Sequence, residues 1–123
     1  NGATGVSPSA TLGVSFSESV TLSTGAFALS CASSGSHPLS HATSGSSFTL
    51  TPSGAFADGE SCTLTVIASA VKDSGNASPA GNTTVAYTLV NAAPRVTATT
   101  PANGASNVSP TAALSVDFSE PVT

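Results

Sequence analysis

The chain is poor in charge. Only 7% of its 123 residues are Asp, Glu, Lys or Arg, against about 25% in an ordinary soluble domain. Its cations are one lysine, Lys72, and one arginine, Arg95. Nucleic-acid binding needs clustered cations that displace counterions from phosphates, and two isolated ones exclude it. Methionine and tryptophan are absent and Tyr87 is the single tyrosine, so a stacking platform for a glycan ligand is lacking. No apolar run approaches the ~20 residues that span a bilayer, and no basic amphipathic helix is visible. Membrane insertion is therefore not expected. An initiator methionine and a signal peptide are also missing, which is expected of a piece of a longer polypeptide.

Ser and Thr are abundant, supplying 40 of the 123 residues. Val and Thr favour strands, and Gly and Pro punctuate them with turns. Long helices are poorly supported. A net charge of −4 with 39% hydrophobic residues argues against charge-driven disorder.

The first 21 residues, NGATGVSPSATLGVSFSESVT, return at residues 103–123 as NGASNVSPTAALSVDFSEPVT. At this offset of 102 the two copies match at 14 of 21 positions without a gap. Leu12, Val14 and Phe16 correspond to Leu114, Val116 and Phe118, all at period two. The chain thus reads as one repeat of about 100 residues and the opening of a second. We expect a first domain over residues 1–90, its opening strand before residue 1 absent. Residues 91–123 are a linker and the first strands of the next repeat, too short to bury a core alone.

Between the copies, short alternating runs separated by turn residues signal a sandwich or barrel. Leu12-Val14-Phe16 is one half-buried strand and Phe27-Leu29-Cys31 another. Residues 32–36 read as a Ser/Gly loop and residues 37–42 as a short polar strand. Phe48-Leu50 ends at Pro52, and Asp58-Gly59 is a hairpin-type turn signal. Cys62, Leu64, Val66 and Ala68 share one face of the longest strand run. Residues 72–81 form a loop, Val85-Tyr87-Leu89 closes the unit, and Val96 and Ala98 alternate in the next one. About seven strands per repeat predict an all-β, two-sheet Greek-key sandwich. Its inner face would hold Leu12, Val14, Phe16, Phe27, Leu29, Cys31, Phe48, Leu50, Cys62, Leu64, Val66, Val85, Tyr87 and Leu89.

Cys31 and Cys62 each lie on the inward face of a strand, where two strands can bring them together. A disulfide closing that 31-residue loop contributes roughly 3–4 kcal/mol on the chain-entropy model and implies an oxidising compartment. Two reduced, buried cysteines are the alternative. A zinc site with His37 and His41 lacks the short paired-ligand spacing such sites use.

The residues resemble a known family. Pro101-Ala-Asn-Gly-Ala105, then Val108, then the Leu-x-Val-x-Phe-Ser-Glu-Pro-Val run to Val122 is similar to the start of a bacterial immunoglobulin-like domain, of the type named for surface-layer proteins. Asp58-Gly59-Glu60, the Cys62-to-Val66 strand and the VKDSGN segment beginning at Val71 match its later part. The resemblance implies an extracellular β-sandwich in tandem arrays on surface proteins, adhesins or secreted multidomain enzymes. It implies no catalysis and fixes no ligand. Cys62 stands where the family commonly has an aromatic, consistent with a subgroup that adds a disulfide.

Candidate sites are sparse. With 23 serines and two histidines a Ser/His/Asp set can be chosen on paper, but no Gly-x-Ser-x-Gly elbow accompanies it. His37 and His41 read as solvent-facing. Asp58, Glu60, Asp73 and Asn76 offer oxygen ligands for calcium, with Glu18 or Glu120 near a domain junction; the competing reading makes Asp73, Gly75 and Asn76 a tight turn and the two glutamates strand-edge charges. Asn76, Asn82 and Asn107 begin N-glycosylation triplets of the kind this composition produces by chance. For function we expect a non-catalytic structural repeat of an extracellular stalk, layer or filament, whose partners are further copies or neighbouring Ig-like domains. Arg95, Val96, Thr97, Ala98, Thr99 and Thr100 would add as a strand to the next copy. The alternative is a spacer or ligand-binding module of a secreted enzyme or adhesin.

Overall fold

A computed structural model describes residues 1–90, 93–119 and 122. Glu120, and Asn91 of the expected linker, lie outside the described residues. The chain divides into two compact units, Asn1–Asn91 and Ala92–Thr123.

Among the described residues, unit 1 holds nine strands: β1 (Ala3–Val6), β2 (Leu12–Leu22), β3 (Phe27–Cys31), β4 (Gly35–His37), β5 (Leu39–Ser40), β6 (Ser44–Pro52), β7 (Ser61–Val66), β8 (Val71–Lys72) and β9 (Thr83–Leu89). They form a five-stranded sheet in the order β1-β9-β7-β3-β4 and a four-stranded sheet in the order β5-β6-β2-β8. This is an all-β, immunoglobulin-like sandwich.

The period-two runs become the inner faces. On β3, Phe27, Leu29 and Cys31 are buried and the residues between them exposed. On β7, Cys62, Leu64 and Val66 are buried. The β3–β7 register sets Phe27 opposite Val66, Leu29 opposite Leu64 and Cys31 opposite Cys62. The β7–β9 register adds Val85 beside Leu64 and Tyr87 beside Cys62. From the other sheet, Phe48 and Leu50 of β6 and Val20 and Leu22 of β2 complete the core. Phe48 joins the layers, with ring centroids 5.8 Å from both Phe16 on β2 and Phe27 on β3. Leu12, Val14 and Phe16 pack against this core but stay half-buried.

The structure corrects several local expectations. Residues 37–42 are not one strand. β4 ends at His37 in the five-stranded sheet, and β5 begins at Leu39 in the other. Pro38 between them has no N–H with which to continue a ladder; its carbonyl accepts from Ser53 N at 3.1 Å. Asp58-Gly59 is a turn, with Gly59 at φ 66, but it makes no hairpin. The strands it connects, β6 and β7, lie in different sheets because each is already paired on both sides. The longest inward run stops at Val66, and Ala68–Ala70 winds into a 3₁₀ turn, Ala70 N donating to Ile67 O at 3.0 Å. Lys72, expected to open a loop, instead pairs with Thr21, as Val71 does with Leu22. Val71 is fully buried.

Near the N-terminus, Ala3–Val6 forms β1, which runs parallel to β9 and places Ala3 beside Tyr87 and Val6 beside Leu89.

Unit 2 contains β10 (Val96–Thr100) and β11 (Ser115–Phe118) as an antiparallel pair. A bulge at Thr97 sets Val96 opposite Phe118 but Ala98 opposite Asp117. Val96 and Ala98 therefore do not share a face as simple alternation predicts. The local geometry of the repeat is reproduced in detail. Ala10 N donates to Ser7 O at 2.9 Å, and Ala112 N to Ser109 O at 3.0 Å. Ser9 N donates to Ser7 Oγ and Thr111 N to Ser109 Oγ, each at 3.3 Å. Gly5 at φ 66 is matched by Asn107 at φ 57, the residue type that best tolerates this left-handed conformation after glycine.

Candidate functional site

Two features stand out in unit 1: a staple between β3 and β7, and a buried carboxylate beside it. The staple is the Cys31–Cys62 disulfide, its Cα atoms 4.0 Å apart. It joins neighbouring strands of one sheet at directly opposed positions, rather than bridging the two sheets.

Glu60 sits one residue before β7 and is buried. Its Oε2 accepts the backbone N–H groups of Ser33 and Ser34, both at 2.9 Å. Its Oε1 accepts Ala57 N at 2.7 Å and also the Ser34 hydroxyl. One side chain thus ties the β3–β4 turn to the β6–β7 loop. Burial on its own would raise the Glu60 pKa. Hydrogen bonds from the Ser34 hydroxyl and from the Ser34, Ser33 and Ala57 amides outweigh it and hold the value at about 2. The nearby Tyr87 hydroxyl is pushed above its ordinary range, by burial first and by the Glu60 charge second.

His37 extends this network. The sequence suggests a solvent-facing histidine, but the ring is buried. Its Nε2 is hydrogen-bonded to Ser34 Oγ at 2.7 Å, and its Nδ1 donates to the Ser53 carbonyl at 3.0 Å. Phe56 stacks on it at 3.8 Å between ring centroids. Gly54, at φ 103, leaves the room: a Cβ there would meet His37 Nδ1 at 3.1 Å. His41 is half-buried and meets Phe27 edge-on at 5.0 Å.

The fold thus brings a serine, a histidine and a glutamate together, but in the order histidine–serine–carboxylate. A serine nucleophile gives its proton to histidine, with the acid on the far side of the ring. Here the Ser34 hydroxyl donates to Glu60. The geometry fastens loops and does not activate an oxygen.

Among the described residues, the acidic candidates Asp58, Glu60 and Asp73 do not form one cluster. Glu60 is saturated by protein donors. Asp73 closes the tight turn, its Oδ1 accepting Ala77 N at 2.7 Å and its carbonyl accepting Asn76 N at 3.1 Å. Asn76 adopts φ 65. Asp58 lies in the turn before Glu60. Glu18 is exposed and shares a cleft with Phe16, Asp73 and Ser78. Among the described residues, the cluster with metal-ligand proximity is Cys31, Glu60 and Cys62, and both sulfurs are spent in the disulfide. Of the glycosylation triplets, Asn82 uses its Oδ1 to accept Ala68 N at 2.9 Å.

The expected assembly segment lies on β10. Arg95 flanks the strand, its carbonyl accepting Ser119 N at 2.9 Å, and Val96, Thr97, Ala98, Thr99 and Thr100 are all exposed. The Glu60–Ser34–His37 network was not legible as a site. The one available signal was an acid beside Cys62, at the head of a strand run.

The sandwich, its tandem restart and the sequence together define the class: an immunoglobulin-like repeat protein. The family model for the bacterial Ig-like domain matches residues 1–89 and again residues 90–123. The chain belongs to that family, whose domains are typically non-catalytic structural modules and are usually found in extracellular or surface proteins. No curated protein and no solved structure matches the chain. Among the described residues, no helix is long and apolar enough to cross a membrane.

Proposed function

We propose that the chain is a non-catalytic, extracellular structural repeat of a bacterial surface stalk, layer or filament. The observation that carries this reading is the tandem match, one Ig-like unit over residues 1–89 and another beginning at residue 90. A rod of such units transmits length and stiffness through short connections. The disulfide supports an oxidising, extracytoplasmic setting, and the low charge with abundant hydroxyls suits a hydrated surface module. In the same reading, residues 95–100 of one copy add as a strand to the sandwich of the next. The test is antibody labelling of intact cells that carry the protein. Labelling without permeabilisation, lost on protease shaving, is the expected result. Labelling only after lysis, or turnover of a substrate by the purified chain, would overturn the reading.

A further inference from the structure

The buried carboxylate and the disulfide meet. Glu60 places a carboxylate oxygen within 4.8 Å of the sulfurs of both Cys31 and Cys62. The two cysteines are nearly closed to solvent, Cys31 at 6% exposure and Cys62 at 0%. The chain beside them is pinned. Ala32 N donates to Ser61 O and Leu89 N to Glu60 O, each at 2.9 Å. Just beyond Ala32, the amides of Ser33 and Ser34 and the Ser34 hydroxyl are all bound to the Glu60 carboxylate. The turn that leaves Cys31 therefore cannot swing aside without breaking those bonds.

Thiol exchange at such a bond has a defined course. A thiolate attacks one sulfur and forms a mixed disulfide, and the electron pair of the broken S–S bond leaves on the other sulfur. Cys31 is the less buried of the two, so its Sγ is the one open to attack and Cys62 Sγ is the leaving group. That sulfur takes up negative charge in a fully buried position, beside a carboxylate held ionised by its four donors. The attacking thiolate brings its own negative charge to the same place. Like charges oppose both events, and a water-poor setting strengthens the opposition. The Cys62 thiolate then takes a proton, and a second thiol attacks the mixed disulfide and releases Cys31. Two electrons and two protons pass to the protein, and two thiols leave as one disulfide.

We infer that Glu60 guards the Cys31–Cys62 disulfide, by its charge and by pinning the β3–β4 turn, so that the folded chain admits cationic thiols and repels anionic ones. The staple is then selective in what can cut it, a property that neither cysteine confers alone.

The test measures reduction of the folded 123-residue chain by three small thiols: an aminothiol cation, a neutral hydroxythiol and a sulfonate anion. Released cysteines are trapped by alkylation and counted by mass, and rates are expressed per thiolate. At low salt the cationic thiol should outpace the anionic one by about tenfold or more. Glu60→Gln should raise the anionic rate and shrink this gap. Glu18→Gln removes the same charge from an exposed position and should leave the gap as it is. Ser34→Ala keeps the carboxylate and loses one pin, so it should raise all three rates together. Equal rates for the three thiols on the native chain would overturn the inference, as would a gap that survives Glu60→Gln or one that Glu18→Gln abolishes. Rates that do not rise with thiol concentration, the mark of reduction through unfolding alone, would also overturn it. Should Glu60→Gln fail to fold, the three thiols on the native and Glu18→Gln chains still decide. None of these rates bears on surface labelling, so the two readings fail separately.

Discussion

Glu60 illustrates how a buried carboxylate is held ionised by converging hydrogen-bond donors. Three main-chain N–H groups and a hydroxyl converge on it, each oriented to favour the charged form. Its folded pKa of about 2 lies below the ordinary 4.5. A depressed pKa contributes stability that is present above the unfolded value and lost as protons are forced on. The thermal midpoint should therefore fall as pH drops from about 4.5 toward 2. Glu60→Gln should lower the midpoint at neutral pH and flatten this acid limb, as read by melts across pH. Gly54 is the second sensitive residue. Its φ of 103 is poorly accessible to other residues, and a Cβ would press on His37. Gly54→Ala should cost about 1–3 kcal/mol, measured by urea unfolding, with the His37 ring resonances displaced.

At the scale of elements, the disulfide and the aromatic bridge divide the labour. The staple fixes β3 to β7 within one sheet, so it constrains the unfolded chain rather than the packing of the two layers. Replacing both Cys31 and Cys62 by Ala should cost about 2–5 kcal/mol, and reductant should lower the native midpoint while leaving the double variant unchanged. Phe48 is where the layers meet, between Phe16 and Phe27. Phe48→Ala should cost about 3–5 kcal/mol and, unlike the cysteine change, lose near-ultraviolet circular dichroism before backbone signal. The element pattern was readable where periodicity is local: Phe27-Leu29-Cys31 and Cys62-Leu64-Val66 are buried as their alternation requires. It failed where a strand changes sheet. Nothing in residues 37–42 says that Pro38 separates a strand of one layer from a strand of the other, because that depends on the partners β3 and β6 present.

For the whole molecule, the contrast lies between two readings of one sequence motif. In unit 1, Val14 and Phe16 are half-buried against a core; in unit 2 their counterparts Val116 and Phe118 are exposed, as is Leu114 at 81%. In dilute protein, amides of β10 and β11 should exchange orders of magnitude faster than those of β3 and β7, by mass-spectrometric hydrogen exchange. Comparable protection in both units would show that the ribbon has support of its own.

The sequence by itself determined the tandem repeat, the all-β sandwich and the facing of both cysteines toward the core. Each of these follows from short-range pattern: a gap-free self-match, period-two alternation, turn residues at intervals. Only the tertiary structure decided which strands became neighbours, that His37 is buried, and that Glu60 is the acceptor for two amides of one turn 26 and 27 residues away. The physical reason is that a main-chain N–H has no residue signature. Any loop offers such donors, and only folding decides which of them a carboxylate will meet.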